Sequence, residues 1–275
     1  MHYLSLAAIF RCENSWLDEW MRYHLAIGIE HFYLFNHDEN TKVSDRILRP
    51  YVETGLVENI HVMETVWGKN EIPSRLQITA YREVLKKSAK TTKWLAIIDL
   101  DEFILPKRKN DVRELLAEYE NFSALGMNWQ IFGTSGHVKR PPSQIQHLLH
   151  RADTFWANNM FIKSIVQPRY VNCDAVDDVH YFPMISGITV NEKQEKISGM
   201  RHDISTNEIQ LNHYSLRSWQ DFWEVKAPRP RFNGVAPCNE DYFFRHDRNE
   251  VYDDEIKRRF GHLICESLRK KESMA

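Results

Sequence analysis

The 275-residue chain has few cysteines, and none of them is paired in a recognisable motif. The four lie far apart in the sequence, at Cys12, Cys173, Cys238 and Cys265, and no two form a CxxC pair. This spacing disfavours a disulfide framework and a structural zinc site. It is typical of a reducing compartment, and we therefore predict a cytoplasmic location.

Long apolar runs are also missing. No apolar stretch approaches the ~20 residues that a helix needs to cross a bilayer. The first ten residues lead directly into Arg11 and Glu13, without the basic-then-apolar order of a secretory signal. We therefore predict no transmembrane anchor, so that any association with a membrane would be peripheral.

A basic excess is absent as well, since 36 basic residues face 38 acidic ones and the formal net charge is −2. Proteins that bind the phosphates of nucleic acid usually carry a clear excess of Lys and Arg. A nucleic-acid partner is therefore disfavoured. The hydrophobic fraction of 43% is ordinary for a soluble globular protein, and the length suits one large α/β domain or two small ones.

The first hundred residues alternate between strand-like and helix-like stretches. Strands are predicted at 3–10, 31–36, 56–62 and 94–98, and helices between them at 15–27, 43–52 and 74–89. This alternation favours an α/β fold with a mostly parallel, doubly wound sheet and helices on both of its faces. In such sheets ligands bind beyond the C-terminal ends of the strands.

After Asp101 the alternation gives way to shorter predicted strands with irregular connections. These strands lie at 125–132, 161–166, 187–190 and 210–216, and helices are predicted at 218–226 and 253–270. The sequence contains no internal repeat, and the proline-rich segment 227–237 is interpreted as a loop within a domain. We therefore predict a single domain over residues 1–275.

The strongest chemical signal is Asp99-Leu100-Asp101, directly after an apolar predicted strand. Two carboxylates at the edge of a sheet are hard oxygen ligands that suit Mg²⁺ or Mn²⁺. A divalent ion there can bridge a diphosphate and stabilise the charge of a departing nucleoside diphosphate. A DxD motif is common by chance, and the alternative is that both residues only end the strand and cap the following turn.

Several blocks of the sequence resemble, in order, those of the family-2-like and family-92 glycosyltransferases. They extend from about residue 5 to residue 255. The blocks are Arg11-Cys12-Glu13-Asn14, Leu17-Asp18-Glu19-Trp20, Tyr23-His24, His31-Phe32-Tyr33-Leu34-Phe35-Asn36, Asp99-Leu100-Asp101-Glu102-Phe103, Trp129-Gln130-Ile131-Phe132-Gly133-Thr134-Ser135-Gly136, Asn212-His213-Tyr214, Arg217-Ser218, Tyr242-Phe243-Phe244 and Glu250-Val251-Tyr252-Asp253.

The resemblance implies a GT-A fold and a metal-dependent glycosyltransferase of the DxD type. The donor would be a nucleotide-diphosphate sugar, the cofactor Mn²⁺ or Mg²⁺, and the transfer inverting. The acceptor would be a hydroxyl of a glycan or of a lipid-linked molecule, as in polysaccharide biosynthesis. Residues 1–105 would bind the nucleotide sugar, and residues 106–275 would form the acceptor side. A sugar- or nucleotide-binding protein without catalysis on the same scaffold is the alternative.

The resemblance also assigns residues to the donor. In the resembling enzymes the loop after the first strand holds the nucleobase and ribose, and the end of the second strand often supplies an Asp. This chain has Asn36 and His37 at that place, with Asp38 just after, which leaves the choice of nucleotide open. For Asn14, capping of the next helix is an equal alternative. The predicted donor-binding residues are Arg11, Glu13, Asn14, Asn36, Asp38, Gln77, Asp99 and Leu100.

The remaining roles also depend on the resemblance. GT-A enzymes commonly complete the metal shell with a late histidine, so we predict a metal site of Asp99, Asp101 and His213, with His180 as the alternative to His213. An inverting transfer needs a carboxylate that accepts the proton of the acceptor hydroxyl. From Asp174, Asp177, Asp178, Glu240 and Asp241 we select Asp178 and Asp241. Acceptor contacts are predicted for Trp129 and Ser135. Trp156 has two interpretations, as a further surface for stacking a sugar ring or as a core residue.

Overall fold

The computed structural model describes residues 1–65, 68, 75–228 and 238–262. Cys265, the end of the predicted helix 253–270 and most of the proline-rich segment lie outside these residues. Within them, no helix combines the length and the apolar character needed to span a bilayer.

The first hundred residues form four strands joined by three helices, as the alternation predicts. The predicted element types are confirmed, and the bounds differ by only one or two residues. The elements are β1 (His2–Phe10), α1 (Leu17–Ala26), β2 (His31–Asn36), α2 (Lys42–Glu53), β3 (Val57–His61), α3 (Leu76–Ser88) and β4 (Thr92–Ile97), with a 3₁₀ turn at Val62–Glu64 after β3.

The rest of the chain consists of shorter elements. The predicted strands near 125–132, 161–166, 187–190 and 210–216 are present, whereas β5, β7, β11, α4, α5 and α7 were not predicted. The elements are β5 (Glu102–Pro106), α4 (Val112–Leu116), β6 (Ala124–Ile131), α5 (Gln144–His147), β7 (His150–Arg151), β8 (Ile162–Val166), β9 (Thr189–Val190), β10 (Ile209–His213), α6 (Trp219–Asp221, continued by a π-helical turn at Phe222–Lys226), α7 (Glu240–His246), β11 (Val251–Tyr252) and a helix at 255–262.

Nine of the described strands form one twisted sheet in the order β3-β2-β1-β4-β8-β6-β10-β5, with β9 beside β6. The strands β3, β2, β1 and β4 are mutually parallel, and β6 is parallel to β10. Antiparallel pairing enters only through β8 and β5. The predicted α/β class with a mostly parallel sheet is therefore confirmed.

The sheet is covered on both faces, because successive side chains of a strand point to opposite sides. Along β1, Leu4 and Leu6 belong to one buried cluster with Trp20 of α1. Ala7, which follows Leu6 and points to the other face, belongs to a second cluster with Tyr81 and other side chains of α3. Each fully buried large side chain contributes roughly 1.5–3 kcal/mol through the hydrophobic effect. This two-sided core fixes the strand ends on which the candidate site is built.

Strand β5 begins directly after the DxD motif and pairs with β10, so that Glu102 lies opposite His213. All five of its residues are buried, and no alternation of polar and apolar side chains marks it. The sequence therefore gives no period-two signal for this strand. Its consequence for the site is direct, since β5 brings the DxD turn against the C-terminal end of β10.

Candidate active site

The DxD turn connects β4 to β5 and is held by the third acidic residue, Glu102. The amide N–H of Asp99 donates to Glu102 Oε2 at 2.8 Å, and the indole N–H of Trp129 donates to Glu102 Oε1 at 2.7 Å. Glu102 is fully buried, and this burial raises its pKa well above the usual value. The turn is thus capped by Glu102, whereas the alternative from sequence gave that task to the two aspartates.

Asp99 is bound by three side chains from the surrounding elements. Lys163 Nζ on β8 lies 2.9 Å from one carboxylate oxygen, and Gln77 Nε2 on α3 donates to the other at 2.9 Å. The Tyr81 hydroxyl lies 3.4 Å from that second oxygen. Lys163 is fully buried; although burial opposes its charge, the carboxylates of Asp99 and Glu102 hold its pKa above the usual value. Asp99 and Gln77, both predicted to bind the donor, are therefore in direct contact.

Asp101 faces His213, with 3.5 Å between its Oδ2 and the Nε2 of the imidazole. Its backbone carbonyl accepts a hydrogen bond from the Tyr214 N–H at 2.8 Å, which ties the DxD turn to the end of β10. Burial alone would favour the neutral acid, but interactions with His213 and then with Lys226 and Arg217 hold the pKa of Asp101 below its usual value. The structure therefore brings Asp101 and His213 together as an anionic carboxylate and an imidazole.

The ligating atoms of this pair suit a divalent cation, since Mn²⁺ binds both carboxylate oxygen and imidazole nitrogen. The Nδ1 atom of His213 is buried and has no hydrogen-bond partner among the described residues. Over the same residues, no three or more His, Cys, Asp or Glu side chains converge as a ligand cluster. The chain thus presents two ligands at one point, and Asp99, the third predicted ligand, is bound to Lys163.

His180, the alternative ligand, also packs against Trp129. Its Nδ1 is 2.8 Å from the carbonyl oxygen of Ile162, and its ring centroid is 5.2 Å from that of Trp129. Burial lowers the pKa of His180 to about 4, so the ring is neutral at pH 7. The hydrogen bonds and ion pairs of the described residues do not join His180 to Asp101.

A cleft of about 420 Å³ opens where the C-terminal ends of β1 and β2 meet. Three predicted donor-binding residues, Arg11, Asn14 and Asp38, line it together with Cys12, Ser15, Glu39, Asn40 and Arg140. Arg11 pairs with Glu39 at 2.7 Å.

Hydrogen bonds shape the cleft from the end of β2. The Cys12 N–H donates to Asp38 Oδ1 at 2.6 Å, and Cys12 has a left-handed backbone with φ 59°. The Asp38 N–H in turn donates to Asn36 Oδ1 at 3.0 Å. Asn36 is itself buried, with its amide donating to Ser44. Asn36 therefore holds the backbone of Asp38 in place, and Asp38 lines the cleft whereas Asn36 does not.

Asn14 contributes a side chain whose carbonyl oxygen is buried and has no hydrogen-bond partner in the described part of the chain. Helix α1 begins at Leu17, and its N-cap residue is Trp16, without a side-chain cap hydrogen bond. Asn14 therefore does not cap α1, and the capping alternative is wrong. An orphaned acceptor at the wall of a cleft is available to an N–H or O–H group of a ligand.

The two remaining predicted donor residues, Glu13 and Leu100, meet at Arg217. The Arg217 guanidinium pairs with the carboxylate of Glu13 and donates to the carbonyl oxygen of Leu100 at 3.2 Å. A third hydrogen bond reaches Gln144 Oε1 at 2.8 Å. Glu13 is buried, so it fixes the loop behind the cleft, and Leu100 contributes a backbone oxygen to the same contact.

The predicted acceptor residues lie at the end of β6. The ring of Trp129 lies 4.4 Å from that of His213 and 5.3 Å from that of Phe161, centroid to centroid. Ser135 Oγ accepts from the backbone N–H groups of Leu149 and His150, at 2.8 and 3.0 Å. Trp129 thus borders the Asp101–His213 pair, while the hydroxyl of Ser135 holds the start of β7.

The two selected bases occupy different places. Asp178 Oδ1 accepts from the N–H groups of His180 and Tyr181, at 2.6 and 3.1 Å, and so lies beside the ring that contacts Trp129. Asp241 is exposed on the first turn of α7. Over the described ranges, no hydrogen bond or ion pair joins it to Asp99, Asp101 or His213.

Sequence reasoning missed the roles of Glu102, Arg217 and Lys163. Glu102 and Arg217 lie in blocks that resemble the glycosyltransferases, and that resemblance was the signal that could have found them. Glu102 and Arg217 hold the DxD turn in place because β5 pairs with β10, and the sequence did not show this pairing.

Residues 3–258 match the family model described as Glycosyltransferase family 92. The chain belongs to glycosyltransferase family 92. It is 22% identical over 227 residues to the glycosyltransferase family 92 protein RCOM_0530710 of Ricinus communis, covering 81% of this chain and 37% of that protein. It is also 22% identical to the family 92 protein At1g27200 of Arabidopsis thaliana, over 80% of this chain and 36% of that protein. The chain thus spans just over a third of the length of these relatives.

Solved structures with a likeness to this family 92 chain include two glycosyltransferases. One is the bifunctional glycosyltransferase WbbM, with 10% identity and a TM-score of 0.33, covering 46% of this chain and 23% of WbbM. The other is mouse xyloside xylosyltransferase 1, with 16% identity and a TM-score of 0.28, covering 47% of this chain and 53% of the mouse chain.

Proposed function

We propose that this family 92 chain is a metal-dependent, inverting glycosyltransferase that uses a nucleotide-diphosphate sugar. The observation that carries the proposal is the Asp101–His213 pair, which lies at the same end of the sheet as the cleft lined by Arg11, Asn14 and Asp38. In a doubly wound sheet this end is where ligands bind. The acceptor is a glycan or lipid-linked hydroxyl, and the cytoplasm remains our prediction for where it acts.

In this proposal the nucleoside occupies the cleft. The orphaned Oδ1 of Asn14 accepts a hydrogen bond from an N–H or O–H group of the base or ribose. The Arg11 and Arg140 guanidiniums, which also line the cleft, donate N–H groups to acceptor atoms of the nucleoside. The diphosphate then extends toward the DxD turn. Glu13 takes part indirectly, because it holds the loop through Arg217.

Asp101 and His213 would hold the Mn²⁺ or Mg²⁺ ion, which supplies positive charge to the leaving diphosphate. Asp99 has a different task in this scheme. Because Lys163 neutralises it and Gln77 is hydrogen-bonded to it, Asp99 orients Gln77 toward the donor and keeps the ammonium of Lys163 beside the diphosphate site. The predicted three-ligand site is thereby reduced to two protein ligands.

The chemical step is a displacement at the anomeric carbon. The acceptor oxygen forms the new glycosidic bond, the bond from that carbon to the diphosphate oxygen breaks with its electron pair, and a carboxylate takes the acceptor proton. Of the two selected bases we favour Asp178, because it lies beside the His180–Trp129 corner that borders the Asp101–His213 pair. Trp129 would orient the acceptor against this corner.

A thermal-shift panel of nucleoside diphosphates, with and without MnCl₂, tests the proposal. A ligand that binds only the folded state raises the free energy of unfolding, by about 2.7 kcal/mol at a concentration 100 times its Kd, and so raises the melting temperature. We expect one nucleotide to stabilise the wild type in a Mn²⁺-dependent manner, and Asp101→Asn to lose the Mn²⁺ dependence. Glu53→Gln, at the exposed C-terminal end of α2 and away from the cleft, is the matched control and should keep it.

Turnover separates this function from the non-catalytic alternative. Release of nucleoside diphosphate from the matching nucleotide sugar, by transfer to water or to an acceptor, is expected in the wild type and absent in Asp101→Asn. Binding without any turnover would support a sugar- or nucleotide-binding protein instead. Equal turnover in the wild type and in Asp101→Asn would refute the metal assignment.

A further inference from the structure

A second group of ring and polar side chains lies beyond Trp129, outside the donor cleft and the DxD turn. The rings of Trp156 and His246 meet edge to face at 5.7 Å, and His246 stacks on Tyr242 at 3.8 Å. The guanidinium carbon of Arg248 lies 5.4 Å from the centroid of Trp156. Asn158 Nδ2 lies 3.4 Å from the Nε2 of His246. Three segments of the acceptor-side half, at residues 156–158, on α7 and in the loop after α7, thus converge on one point.

This group lies at the same edge of the sheet as the Asp101–His213 pair. The Ala152 N–H donates to the carbonyl of Ile131 at the end of β6, and His213 pairs with Ile131 on β10. On the other side, Asp247 Oδ1 accepts from the Thr134 N–H at 2.7 Å. The segments that carry Trp156 and His246 are therefore both anchored within a few residues of the end of β6.

The ring of His246 is neutral at pH 7. Burial and then the nearby charges of Lys226 and Arg245 lower its pKa to about 4. The His246 Nδ1 lies 2.8 Å from the Tyr242 carbonyl, where a neutral ring donates, which leaves Nε2 as an acceptor.

Core packing does not account for Trp156. Neither Trp156 nor His246 belongs to any of the buried apolar clusters, and both are partly exposed. The Nε–H of Arg248 is buried and has no partner among the residues described, although the outer nitrogen of this side chain pairs with Glu250 at 2.5 Å. A partly exposed indole beside an unsatisfied N–H donor and an imidazole acceptor is a combination that suits a ligand with one apolar face and several hydroxyls.

We propose that Trp156, His246 and Arg248 form a subsite for a pyranose ring of a glycan acceptor, with the apolar face of the sugar on Trp156 and its hydroxyls on the Arg248 Nε–H and the His246 Nε2. The inference rests on the proposed function, because it places the acceptor beside the Asp101–His213 pair. In this inference a sugar ring of the acceptor occupies the subsite, and any lipid part of the acceptor lies outside it.

Saturation-transfer NMR on the full chain tests the subsite without turnover. The probes are the methyl glycosides of glucose, galactose, mannose and fucose, together with n-octyl glucoside. We expect saturation of the ring C–H protons of at least one methyl glycoside by the wild type, and an affinity about tenfold lower in Trp156→Ala. Trp156→Phe, which keeps a flat ring, should retain most of the affinity, and Phe155→Ala, the exposed neighbour, should leave it unchanged.

Three results would overturn the subsite. They are the absence of saturation in every methyl glycoside with the wild type, equal affinity in Trp156→Ala and wild type, and saturation confined to the alkyl protons of n-octyl glucoside. The Mn²⁺-dependent thermal shift with nucleoside diphosphate should be the same in Trp156→Ala and wild type. That thermal shift measures only nucleotide binding, so its absence in the wild type counts against the proposed function. The NMR measurements with glycosides test the subsite separately.

Discussion

Arg217 forms a buried ion pair with Glu13, and the two residues are 204 positions apart in the sequence. The pair joins the loop behind the donor cleft to the segment that follows β10. Arg217 also donates to the carbonyl between the two aspartates of the DxD turn. Its backbone is left-handed, with φ 61°, a conformation that costs a non-glycine residue free energy and persists where surrounding contacts demand it. One side chain therefore sets the position of the cleft relative to the DxD turn.

Breaking this pair from one side should destabilise the fold. Arg217→Met leaves the Glu13 carboxylate buried without its cation, and such a loss costs about 3–5 kcal/mol. We expect the double variant Glu13→Gln/Arg217→Met to lose clearly less than the sum of the two single variants. Urea denaturation of the four proteins measures the coupling. Additive losses would show that Glu13 and Arg217 act independently.

Lys163 and Asp99 give a second test, this time at the DxD turn itself. Lys163 is fully buried, so Lys163→Met should lower the free energy of unfolding by about 3 kcal/mol, because the Asp99 carboxylate then remains without its counter-charge beside the buried Glu102. Adding Asp99→Asn should restore part of the loss. Lys86→Met is the control, because Lys86 pairs with Asp174 at the surface and its removal should have no measurable effect. A Lys163→Met protein as stable as the wild type would contradict the role of this pair.

The first hundred residues could be predicted well because their strands and helices follow the expected periodicities. Helix α1 places Trp20 and Tyr23 on one buried face, and β2 was located to the residue. The second half was harder. Strand β5 has no polar alternation. Helix α7 is capped by Asn239, whose side chain accepts from the Tyr242 N–H, and this cap was not recognised in the sequence.

The candidate site shows the same division. Asp101 and His213 could be placed together from the resemblance, and the cleft residues from the order of the strands. The contact of Lys163 with Asp99 could not, because it depends on β8 entering the sheet antiparallel beside β4. The roles of Trp156 and Arg248 depend on loop segments that share no regular pattern, so only the folded chain brings them together.

His24 makes the stability of the fold depend on pH. It is fully buried, its Nδ1 lies 2.8 Å from the Trp20 carbonyl, and burial lowers its pKa to about 3. Below the unfolded-state pKa of about 6.5 the unfolded chain binds a proton that the folded chain does not bind. The stability associated with neutral His24 is therefore complete above pH 6.5 and falls as the pH drops from 6.5 toward 3, by about 1.4 kcal/mol per unit.

Between pH 7 and pH 5 this residue should therefore account for a loss of about 2 kcal/mol. Urea denaturation of His24→Gln at both pH values should show a loss smaller by that amount than in the wild type, whatever the effect of the substitution at pH 7. His150→Gln, on β7 near the surface, is the matched control and should follow the wild type. Parallel pH profiles for the wild type and His24→Gln would show that His24 does not couple folding to protonation.

Asn14 allows the cleft to be tested without disturbing the fold. Its side-chain oxygen has no partner among the described residues and does not cap α1, so Asn14→Ala removes no hydrogen bond seen at that oxygen. The melting temperature of the unliganded protein should therefore change little. The affinity for the nucleoside diphosphate that stabilises the wild type should fall about tenfold, since a single well-placed hydrogen bond contributes roughly 1–1.5 kcal/mol. Isothermal titration calorimetry in the presence of MnCl₂ measures it. A variant with unchanged affinity would mean that the nucleoside does not contact this wall of the cleft, while a lower melting temperature without ligand would assign Asn14 to the fold.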